Sequence, residues 1–312
     1  MSYLKEEMEY GRWLREGKLQ DKLFFKTDKK NIIFIFRHGE ARPAAVMKCG
    51  KCSEMEKEYL TQKRALALFP AWVPKIYFFE TDDGTGNLCM EYVKDNHLSN
   101  IVSSVWIGKR KKYLYELEQI FLFCIAFLKH IPVREGRVGH AYSAAEIEAM
   151  ASDLLGYFGE GGEIPEFKER MDGLHETPSP LIMQHRDFCV RNILYADRQR
   201  KVIIDWEDSK EDDLPMVDFN MLLISMVAVY RDIFHEADDH FFGDKDLMEI
   251  VRKMREEVRQ YLGVKKELFE NISALSTLSL CSQNIRKGRF KTAEEIFTYL
   301  VRELNQRGIL WA

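Results

Sequence analysis

The sequence predicts an α+β protein with two lobes, a small antiparallel β lobe followed by a large helical lobe. Short apolar runs rich in β-branched and aromatic residues, separated by polar turns, dominate residues 31–93. After residue 109 the apolar residues recur with the period of a helix instead. A chain of 312 residues, 46% hydrophobic and 31% charged, is long enough to bury a core in one large domain or in two coupled lobes.

The first lobe is expected to comprise residues 1–93. Its apolar runs are "NIIFIF" and "AAVMKC", separated by "RHGEARP", and "KIYFFE" and "NLCMEYV", separated by "TDDGTG". These patterns predict two β-hairpins. Between the hairpins a helix is predicted from Ser53 to Phe69, with Ser53 and Glu56 forming a capping box at its start. A further helix is predicted in the first twenty residues.

The second lobe is expected to comprise residues 94–312, after a hinge near Tyr92 to Asp95. Helices are predicted at 109–130, 143–158, 164–174, 215–236, 245–262, 265–286 and 291–307. The apolar runs "NILY" and "KVIIDW" interrupt this pattern. They predict two short strands within an otherwise helical lobe.

Composition and charge argue against several classes of protein. The net charge of -4 gives no reason to expect binding to nucleic acid or to an anionic membrane. No apolar run approaches eighteen residues, and the charged N-terminal segment lacks the apolar core of a signal peptide. We therefore expect a cytoplasmic protein with no nucleic-acid partner and no membrane span. Nothing in the sequence indicates its oligomeric state.

Six cysteines are scattered along the chain, which is typical of reduced thiols rather than of a disulfide framework. Cys49 and Cys52 have the spacing of a zinc-ligand pair, but a structural zinc site needs four ligands. His38 and Cys89 are the obvious candidates to complete one. We interpret the pair as incidental and keep a zinc site as the alternative.

Polar residues are concentrated in the stretch "LIMQHRDFCVRNILY", between apolar runs that are expected to be buried. Asp187 is followed by Asn192 five residues later and by Asp205 of "IIDW" eighteen residues later. At the ends of two short strands, Asn192 and Asp205 could converge on one Mg²⁺ through oxygen ligands. Asp187 could then accept a proton from a hydroxyl group. A hard cation with a nearby base is the arrangement that phosphoryl transfer requires.

Lys48 ends the apolar run "AAVMK" and precedes a helix that is rich in glutamate. A lysine–glutamate pair would hold the amine where it can neutralise phosphate oxygens. Glu54 is too close to the helix start, and Glu56 is better used as the capping-box partner. Glu58 lies about one turn before the apolar face of the helix. It is therefore the predicted partner of Lys48.

These motifs resemble those of the aminoglycoside phosphotransferase family, which includes choline and ethanolamine kinases. "MQHRDFCVRNIL" resembles the family's "HGDFHPGNIL", and "VIIDWED" resembles its metal-binding "IDWED". "AVMK", "LCMEYV" and "DDLPMVDF" are similar to further family landmarks in the same order. The resemblance runs from about residue 31 to residue 225.

The resemblance implies a protein-kinase-like fold, with ATP and Mg²⁺ as cofactors. It also implies transfer of the γ-phosphate to a hydroxyl of a small acceptor such as an aminoglycoside, choline or a sugar. The implied site has seven residues: catalytic base Asp187, Mg²⁺ ligands Asn192 and Asp205, and nucleotide-binding Lys48, Glu58, Glu91 and Val93. The last two would bind adenine through backbone groups. Asp218 would support the catalytic loop without reacting.

The sequence departs from the family pattern at several points. Arg186 stands where the family usually has glycine or asparagine. It makes the His-Arg-Asp triplet at 185–187 resemble the corresponding triplet of protein kinases. Protein kinases, however, carry a lysine where this chain has Cys189. "DDLPMVD" is one residue longer than the family's usual spacing. No glycine-rich phosphate loop is present, so backbone amides around Thr27 to Lys30 would have to cover the phosphates.

Three functions remain open from the sequence. An active small-molecule kinase is favoured, because Asp187, Asn192 and Asp205 are all retained. The alternatives are a nucleotide-binding pseudokinase that acts as a regulatory scaffold, and a protein kinase. Asp238, Asp239 and Phe241 could receive a cationic acceptor, although a solvated helix connection is the favoured interpretation of that segment.

Overall fold

The computed structural model describes residues 19–26, 30–37, 40–93, 110–159, 174–196, 200–234 and 238–305. The chain divides into two compact units. The first comprises Met1–Leu98 and Arg191–Asp208, and the second comprises Ser99–Val190 and Ser209–Ala312. Residues 191–208 therefore group with the N-terminal unit, although they lie far along the chain.

Five antiparallel strands form the sheet of the first unit, in the order β1-β2-β3-β5-β4. They are β1 (Leu19–Lys26), β2 (Asn31–Arg37), β3 (Pro43–Lys51), β4 (Ile76–Asp82) and β5 (Thr85–Glu91). The predicted hairpins are present. Asp83 and Gly84 connect β4 to β5 with φ of 42° and 78°. Positive φ at both residues matches the twist of a two-residue hairpin, which explains the Asp-Gly pair.

One helix, α1 (Cys52–Leu68), packs on this sheet. It approaches β5 so closely that a Cβ at Gly86 would lie 2.7 Å from Met55 Cβ, so only glycine fits there. The predicted capping box was wrong. The N-cap residue is Lys51 and has no side-chain cap, so Ser53 already lies inside the first turn. Because the N-cap lies two residues before Ser53, Ser53 and Glu56 are out of capping register.

The remaining strands are β6 (Arg134–Arg137), β7 (Pro178–Gln184), β8 (Ile193–Tyr195), β9 (Lys201–Ile203) and β10 (Lys210–Asp213). In the second unit β7 lies between β6 and β10 in an antiparallel sheet. In the first unit β8 and β9 form an antiparallel ribbon, with Ile193 opposite Ile203. The two strands predicted from "NILY" and "KVIIDW" are thus confirmed. A 3₁₀ turn, Trp206–Asp208, follows the ribbon.

Helices make up most of the second unit. They are α2 (Arg110–His130), α3 (Val138–Ala141), α4 (Ala144–Phe158), α5 (Val217–Phe234), α6 (Asp238–Gly243), α7 (Lys245–Leu262), α8 (Lys266–Arg286) and α9 (Phe290–Asn305). Helix α8 is buried around most of its circumference, where it packs against α4, α5 and α9. The predicted helices of this unit are confirmed, except for the one expected at 164–174. Its residues 164–173 lie outside the described part of the chain, and Leu174 begins a 3₁₀ turn, Leu174–Glu176. The short helix α6 was not predicted.

The predicted fold class, α+β with an antiparallel N-terminal sheet and a helical C-terminal region, is confirmed. The helix predicted for the first twenty residues is wrong at its end, because residues 19 and 20 begin β1. Its residues 1–18 lie outside the described part of the chain. Polar residues interrupt the apolar ones in β1, so pairing with β2 rather than local pattern decides that it is a strand. None of the described helices is long and apolar enough to cross a membrane.

Candidate active site

Lys48 is the centre of a charged cluster in the first unit. Its Nζ lies 2.5 Å from Oε1 of Glu58 and 2.8 Å from Oδ1 of Asp205. The Glu58 side chain is completely buried. Burial alone would lower the pKa of Lys48, but Asp205 and Glu58 outweigh it, and the pKa lies above its usual value. Lys48 is therefore held protonated, in contact with the glutamate that the sequence predicted.

A second lysine, Lys30, joins this cluster. Its Nζ lies 2.8 Å from Oε2 of Glu58, and it also contacts Glu207. Lys48 and Lys30 thus hold opposite oxygens of one buried carboxylate. The register explains why: Ile32 is opposite Lys48, and side chains two residues apart on a strand share a face, so Lys30 lies on the same face as Lys48. Burial lowers the pKa of Lys30, but the carboxylates outweigh it and the pKa is raised.

Three carboxylates of the cluster could hold a metal ion. Glu58, Asp205 and Glu207 each offer an oxygen, and these oxygens lie within 4.8 Å of one another. Among the described residues this is the one such group of three possible ligands; His38, named above for zinc, is not described. Oxygen donors are the ligands that Mg²⁺ prefers. The three carboxylates and the two lysines together carry a net charge of one negative unit. This negative charge and the oxygen donors make the donor set suitable for a divalent cation.

The backbone around Asp205 is unusual and firmly anchored. Asp205 has φ of 68°, a left-handed conformation that favours glycine. The next residue, Trp206, is completely buried, and its Nε1 donates to the carbonyl of Ile203 at 2.9 Å. Its ring stacks on Phe69 at the end of α1, with centroids 6.5 Å apart. This burial holds Asp205 in a strained conformation that points its carboxylate at Lys48.

Asn192 reaches the same end of the β8–β9 ribbon. It directly precedes β8, and its carbonyl accepts the N–H of Ile204 at 2.9 Å. Asp205 is the next residue after Ile204. The ribbon therefore places the two predicted Mg²⁺ ligands on adjacent backbone segments, as their positions at the strand ends suggested.

The predicted adenine segment is packed on the same ribbon. Val93 is buried against Leu194 and Val202. The N–H of Glu91 already donates to the carbonyl of Lys75 at 2.8 Å, so Glu91 could offer adenine only its carbonyl. The Glu91 side chain forms an ion pair with Arg200 at 3.1 Å. Val93 thus provides a buried apolar surface. In the predicted adenine contact, Glu91 could take part only through its backbone carbonyl oxygen.

The loop that carries Asp187 belongs to the second unit and is held by Asp218. Oδ2 and Oδ1 of Asp218 accept the N–H groups of His185 and Arg186, each at 2.7 Å. The N–H of Asp187 donates to Nδ1 of His185 at 3.2 Å. Asp218 itself is buried and receives support from Gln184, which accepts its N–H at 2.7 Å. These bonds orient Asp187, whose side chain is about one-fifth exposed (20%).

Arg186 stabilises this loop from its other side. Its φ is 67°, which accounts for the glycine or asparagine that the family usually has there. The side chain compensates for the strain: it lies 2.5 Å from Asp213 and donates to Gln283 at 2.7 Å and to the hydroxyl of Tyr142. Arg186 therefore braces the loop through Asp213, Gln283 and Tyr142.

Comparison with known proteins identifies the family. A model of the phosphotransferase enzyme family (APH) matches residues 54–256, about two-thirds of the chain. This chain belongs to the phosphotransferase enzyme family. No curated protein sequence matches it significantly.

Solved structures are similar to this phosphotransferase at low identity. One is the aminoglycoside phosphotransferase APH(3'')-Id of Streptomyces rimosus, with 13% identity, a TM-score of 0.48, and coverage of 85% of this chain and 98% of that one. The same protein with ADP and streptomycin gives 12% identity, a TM-score of 0.45, and coverage of 86% and 98%. The kinase PK-1 of Cydia pomonella granulovirus has 15% identity, a TM-score of 0.42, and coverage of 85% of this chain and 96% of that one.

Sequence reasoning missed two residues of the charged cluster and misjudged a third residue elsewhere. Lys30 and Glu207 were not predicted, although Lys30 stands at the predicted phosphate turn and Glu207 follows Asp205 by two residues. The suggestion that Phe241 presents its ring to a cationic acceptor was wrong. Phe241 is completely buried, edge-on to Tyr230 and Phe242. The side chains of Asp238 and Asp239 lie outside the described part.

The shared carboxylate of Glu58 leads to a stability prediction for the phosphotransferase. Lys30→Met and Lys48→Met each leave Glu58 one ammonium partner, whereas the double variant leaves the buried carboxylate without either. We expect each single variant to lower the free energy of unfolding by about 1–2 kcal/mol, and the double variant to exceed their sum by about 1–3 kcal/mol. Urea denaturation monitored by circular dichroism measures the free energy of unfolding of wild type, the two single variants and the double variant.

The matched control repeats this cycle in a Glu58→Gln background. A neutral side chain cannot be left as a buried charge, so the excess in the double variant should disappear there. If Lys30→Met and Lys48→Met are additive with Glu58 intact, the two lysines do not share the carboxylate.

A second stability prediction concerns pH. Burial raises the pKa of Asp218 from 3.8 to about 6, although His185 and the loop N–H groups act to lower it. Between these values the folded protein binds one proton more than the unfolded chain. Stability relative to Asp218→Asn should therefore fall as pH rises from about 4 to about 6, by roughly 3 kcal/mol. Urea denaturation at several pH values in this range measures how the free energy of unfolding changes with pH. If that free energy changes equally with pH in wild type and in Asp218→Asn, the pKa of Asp218 is not raised.

Proposed function

We propose that this phosphotransferase is an ATP- and Mg²⁺-dependent kinase that transfers the γ-phosphate to a hydroxyl group of a small molecule. The observation that carries the proposal is the ion-pair cluster of Lys48 with buried Glu58 and with Asp205. A lysine fixed between two carboxylates is placed to neutralise phosphate oxygens, and it need not reorganise when they arrive.

In this proposal the nucleotide is bound by residues of the first unit. Lys48 contacts phosphate oxygens, and Glu58 holds Lys48 in position. The carbonyl of Glu91 and the backbone of Val93 bind the adenine edge, over the apolar surface that Val93 shares with Leu194. Lys30 adds a second positive charge at the turn where the glycine-rich loop is absent.

Asn192 and Asp205 would hold Mg²⁺, which would neutralise negative charge on the phosphate group during transfer. Glu207 offers a further oxygen near Asp205. The cluster's negative excess and the position of Asn192 beside Ile204 support this assignment.

Asp187 would be the catalytic base. The backbone N–H of Asp187 donates to His185, and Asp218 accepts the N–H of His185, so the backbone that carries the carboxylate is held by neighbours that do not themselves react. It would accept the proton of the acceptor hydroxyl as that oxygen bonds to the γ-phosphorus and the bond to the ADP oxygen breaks. The retained base favours an active kinase over a scaffold, and the cytoplasmic location stays a prediction.

The proposal is tested by nucleotide binding and turnover with the full chain. A fluorescent ATP analogue should bind more tightly with Mg²⁺ than with EDTA, and ADP should form on addition of some member of a panel of sugars, sugar acids, amino alcohols and aminoglycosides. Nucleotide binding that ignores Mg²⁺, with no ADP formed from any acceptor, would favour the regulatory scaffold instead. Phosphate incorporation into a protein substrate alone would favour a protein kinase.

A further inference from the structure

Arg289 contacts the proposed base within the second unit, and none of the roles above uses it. Its Nη1 lies 3.9 Å from Oδ2 of Asp187. This distance is within the range of an ion pair but longer than a hydrogen bond. Arg289 therefore places a positive charge directly beside the carboxylate that would accept the acceptor's proton.

The backbone of Arg289 is fixed between two helices. Gly288 ends the turn after α8 with φ of 68°, a left-handed conformation that suits glycine. The N–H of Arg289 donates to the carbonyl of Asn284 in α8 at 2.9 Å, and its own carbonyl accepts the N–H of Ala293 in α9 at 3.0 Å. These bonds fix the point from which the Arg289 side chain extends towards Asp187.

The side chain of Arg289 is partly exposed, at 40% against 20% for Asp187. An ion pair at such exposure contributes little to stability, because water screens both charges and a long side chain loses conformational freedom. The pair differs in this from Arg186 and Asp213, which are buried and 2.5 Å apart. Stability therefore does not account for Arg289, and its side chain has room to turn towards a ligand.

The chemistry of transfer limits where the phosphoryl group lies relative to Asp187. A hydroxyl that gives its proton to Asp187 lies about 2.6–3.2 Å from the carboxylate. The hydroxyl oxygen lies about 3–3.5 Å from the γ-phosphorus when it is ready to attack. The γ-phosphorus is then at most about 7 Å from the carboxylate. Arg289, at 3.9 Å from the same carboxylate, can therefore reach the oxygens on that phosphorus.

The charges beside Arg289 change during the transfer. Before it, the carboxylate of Asp187 and the γ-phosphate are both negative, and the guanidinium compensates both. When the hydroxyl proton passes to Asp187, the carboxyl group becomes neutral and attracts Arg289 less. The guanidinium then interacts mainly with the phosphoryl oxygens. An interaction that strengthens in the transition state raises kcat and leaves substrate affinity unchanged.

We propose that Arg289 is a further catalytic residue, which neutralises negative charge on the phosphoryl group during its transfer. This inference rests on the proposed function and deepens it. The acceptor oxygen forms the bond to the γ-phosphorus, the bond to the ADP oxygen breaks, and the proton passes to Asp187. Arg289 donates hydrogen bonds to the phosphoryl oxygens and exchanges no proton. Its planar guanidinium can bind two of these oxygens at once, which a lysine ammonium does less well.

Steady-state kinetics of Arg289→Met, with ATP, Mg²⁺ and an acceptor from the panel above, test this role. We expect kcat to fall at least about 100-fold, while KM for ATP and for the acceptor changes less than about threefold. Arg289→Lys should recover part of the loss, because it keeps the charge without the paired N–H groups. Arg134→Met is the matched control and should keep the kcat of wild type, since Arg134 is an exposed arginine of the same unit, 3.1 Å from exposed Asp212.

The kinetic outcomes separate the inference from the proposed function. A normal kcat in Arg289→Met, or an equal loss in Arg134→Met, overturns the inference. A raised acceptor KM with unchanged kcat also overturns it, because Arg289 would then bind the acceptor and not the phosphoryl group. Each of these results leaves the proposed function intact. If no acceptor is phosphorylated by wild type, the proposed function fails and the inference fails with it.

Aluminium fluoride provides a second measurement that does not depend on turnover. Together with ADP and Mg²⁺ it mimics the phosphoryl group in transfer, and transition-state mimics bind more tightly than substrates. In isothermal titration calorimetry of the full chain, it should raise ADP affinity at least about 10-fold in wild type and in Arg134→Met. Arg289→Met should bind ADP alone like wild type and lose this gain, and its thermal unfolding should match that of wild type. No gain in wild type, or an equal gain in Arg289→Met, overturns the inference.

Discussion

Asp187→Asn is expected to lower kcat for phosphoryl transfer by about 10²–10⁴-fold while nucleotide affinity stays unchanged. Asparagine has nearly the same shape, but it cannot accept the hydroxyl proton. The loop should keep its conformation, because Asp218 holds the backbone N–H groups of His185 and Arg186, and neither bond involves the Asp187 side chain. Steady-state ADP release and a fluorescent ATP analogue measure the two quantities separately.

The matched control for Asp187→Asn is Asp212→Asn in the same unit. Asp212 is exposed and pairs with the exposed Arg134 at 3.1 Å, a type of contact that contributes little. The kcat of the Asp212→Asn variant should equal that of wild type. Near-normal kcat in Asp187→Asn would remove Asp187 from the role of base and with it the assignment of the loop. A parallel loss of nucleotide affinity would indicate misfolding instead.

Asp205→Ala is expected to remove the Mg²⁺ dependence of nucleotide binding and to lower kcat at least about 100-fold, since even residues that only support metal ligands commonly contribute 10–100-fold. Lys48 should remain in place, because Glu58 still holds it at 2.5 Å. The loss can therefore be attributed to the metal and not to a displaced lysine. Affinity for the fluorescent nucleotide, measured with Mg²⁺ and with EDTA, reports the effect.

Asp205→Asn provides the graded comparison, because its amide keeps one oxygen donor without the charge. We expect its Mg²⁺ dependence to lie between that of wild type and that of Asp205→Ala. If nucleotide binding by Asp205→Ala depends on Mg²⁺ as in wild type, Asp205 is not a metal ligand. Glu207, which belongs to the same group of three carboxylates, would then be the next residue to test.

Much of the site could be predicted because its residues are close in sequence or follow strand ends. Asp187, Asn192 and Asp205 belong to one loop–ribbon–loop segment, so their spacing carries the information. Glu58 could be chosen over its neighbours because helical periodicity places it on the buried face of α1. For the same reason the long helices α5, α7, α8 and α9 are predicted to within a few residues of their observed ends, whereas the short helix α6 is not.

Lys30 shows where that reasoning ends. Its contact with Glu58 spans 28 residues, and that with Glu207 spans 177. The pairing register of β2 with β3 decides which face Lys30 occupies, and a single sequence does not state the register. The predicted capping box was wrong for a related reason, because the N-cap of α1 is Lys51, two residues before the serine that suggested the cap.

The sequence by itself determined the α+β class, the order of the elements, and the spaced set of Asp187, Asn192 and Asp205 that resembles the motifs of the phosphotransferase family. Tertiary structure alone decided what surrounds them. Packing of α4 and α8 with the Asp187 loop and β10 creates a cavity in the second unit, and it brings Lys210 and Lys287 into the lining of that cavity. Which side chains share a cavity depends on how segments that are distant in the chain pack together, and no local sequence pattern records that packing.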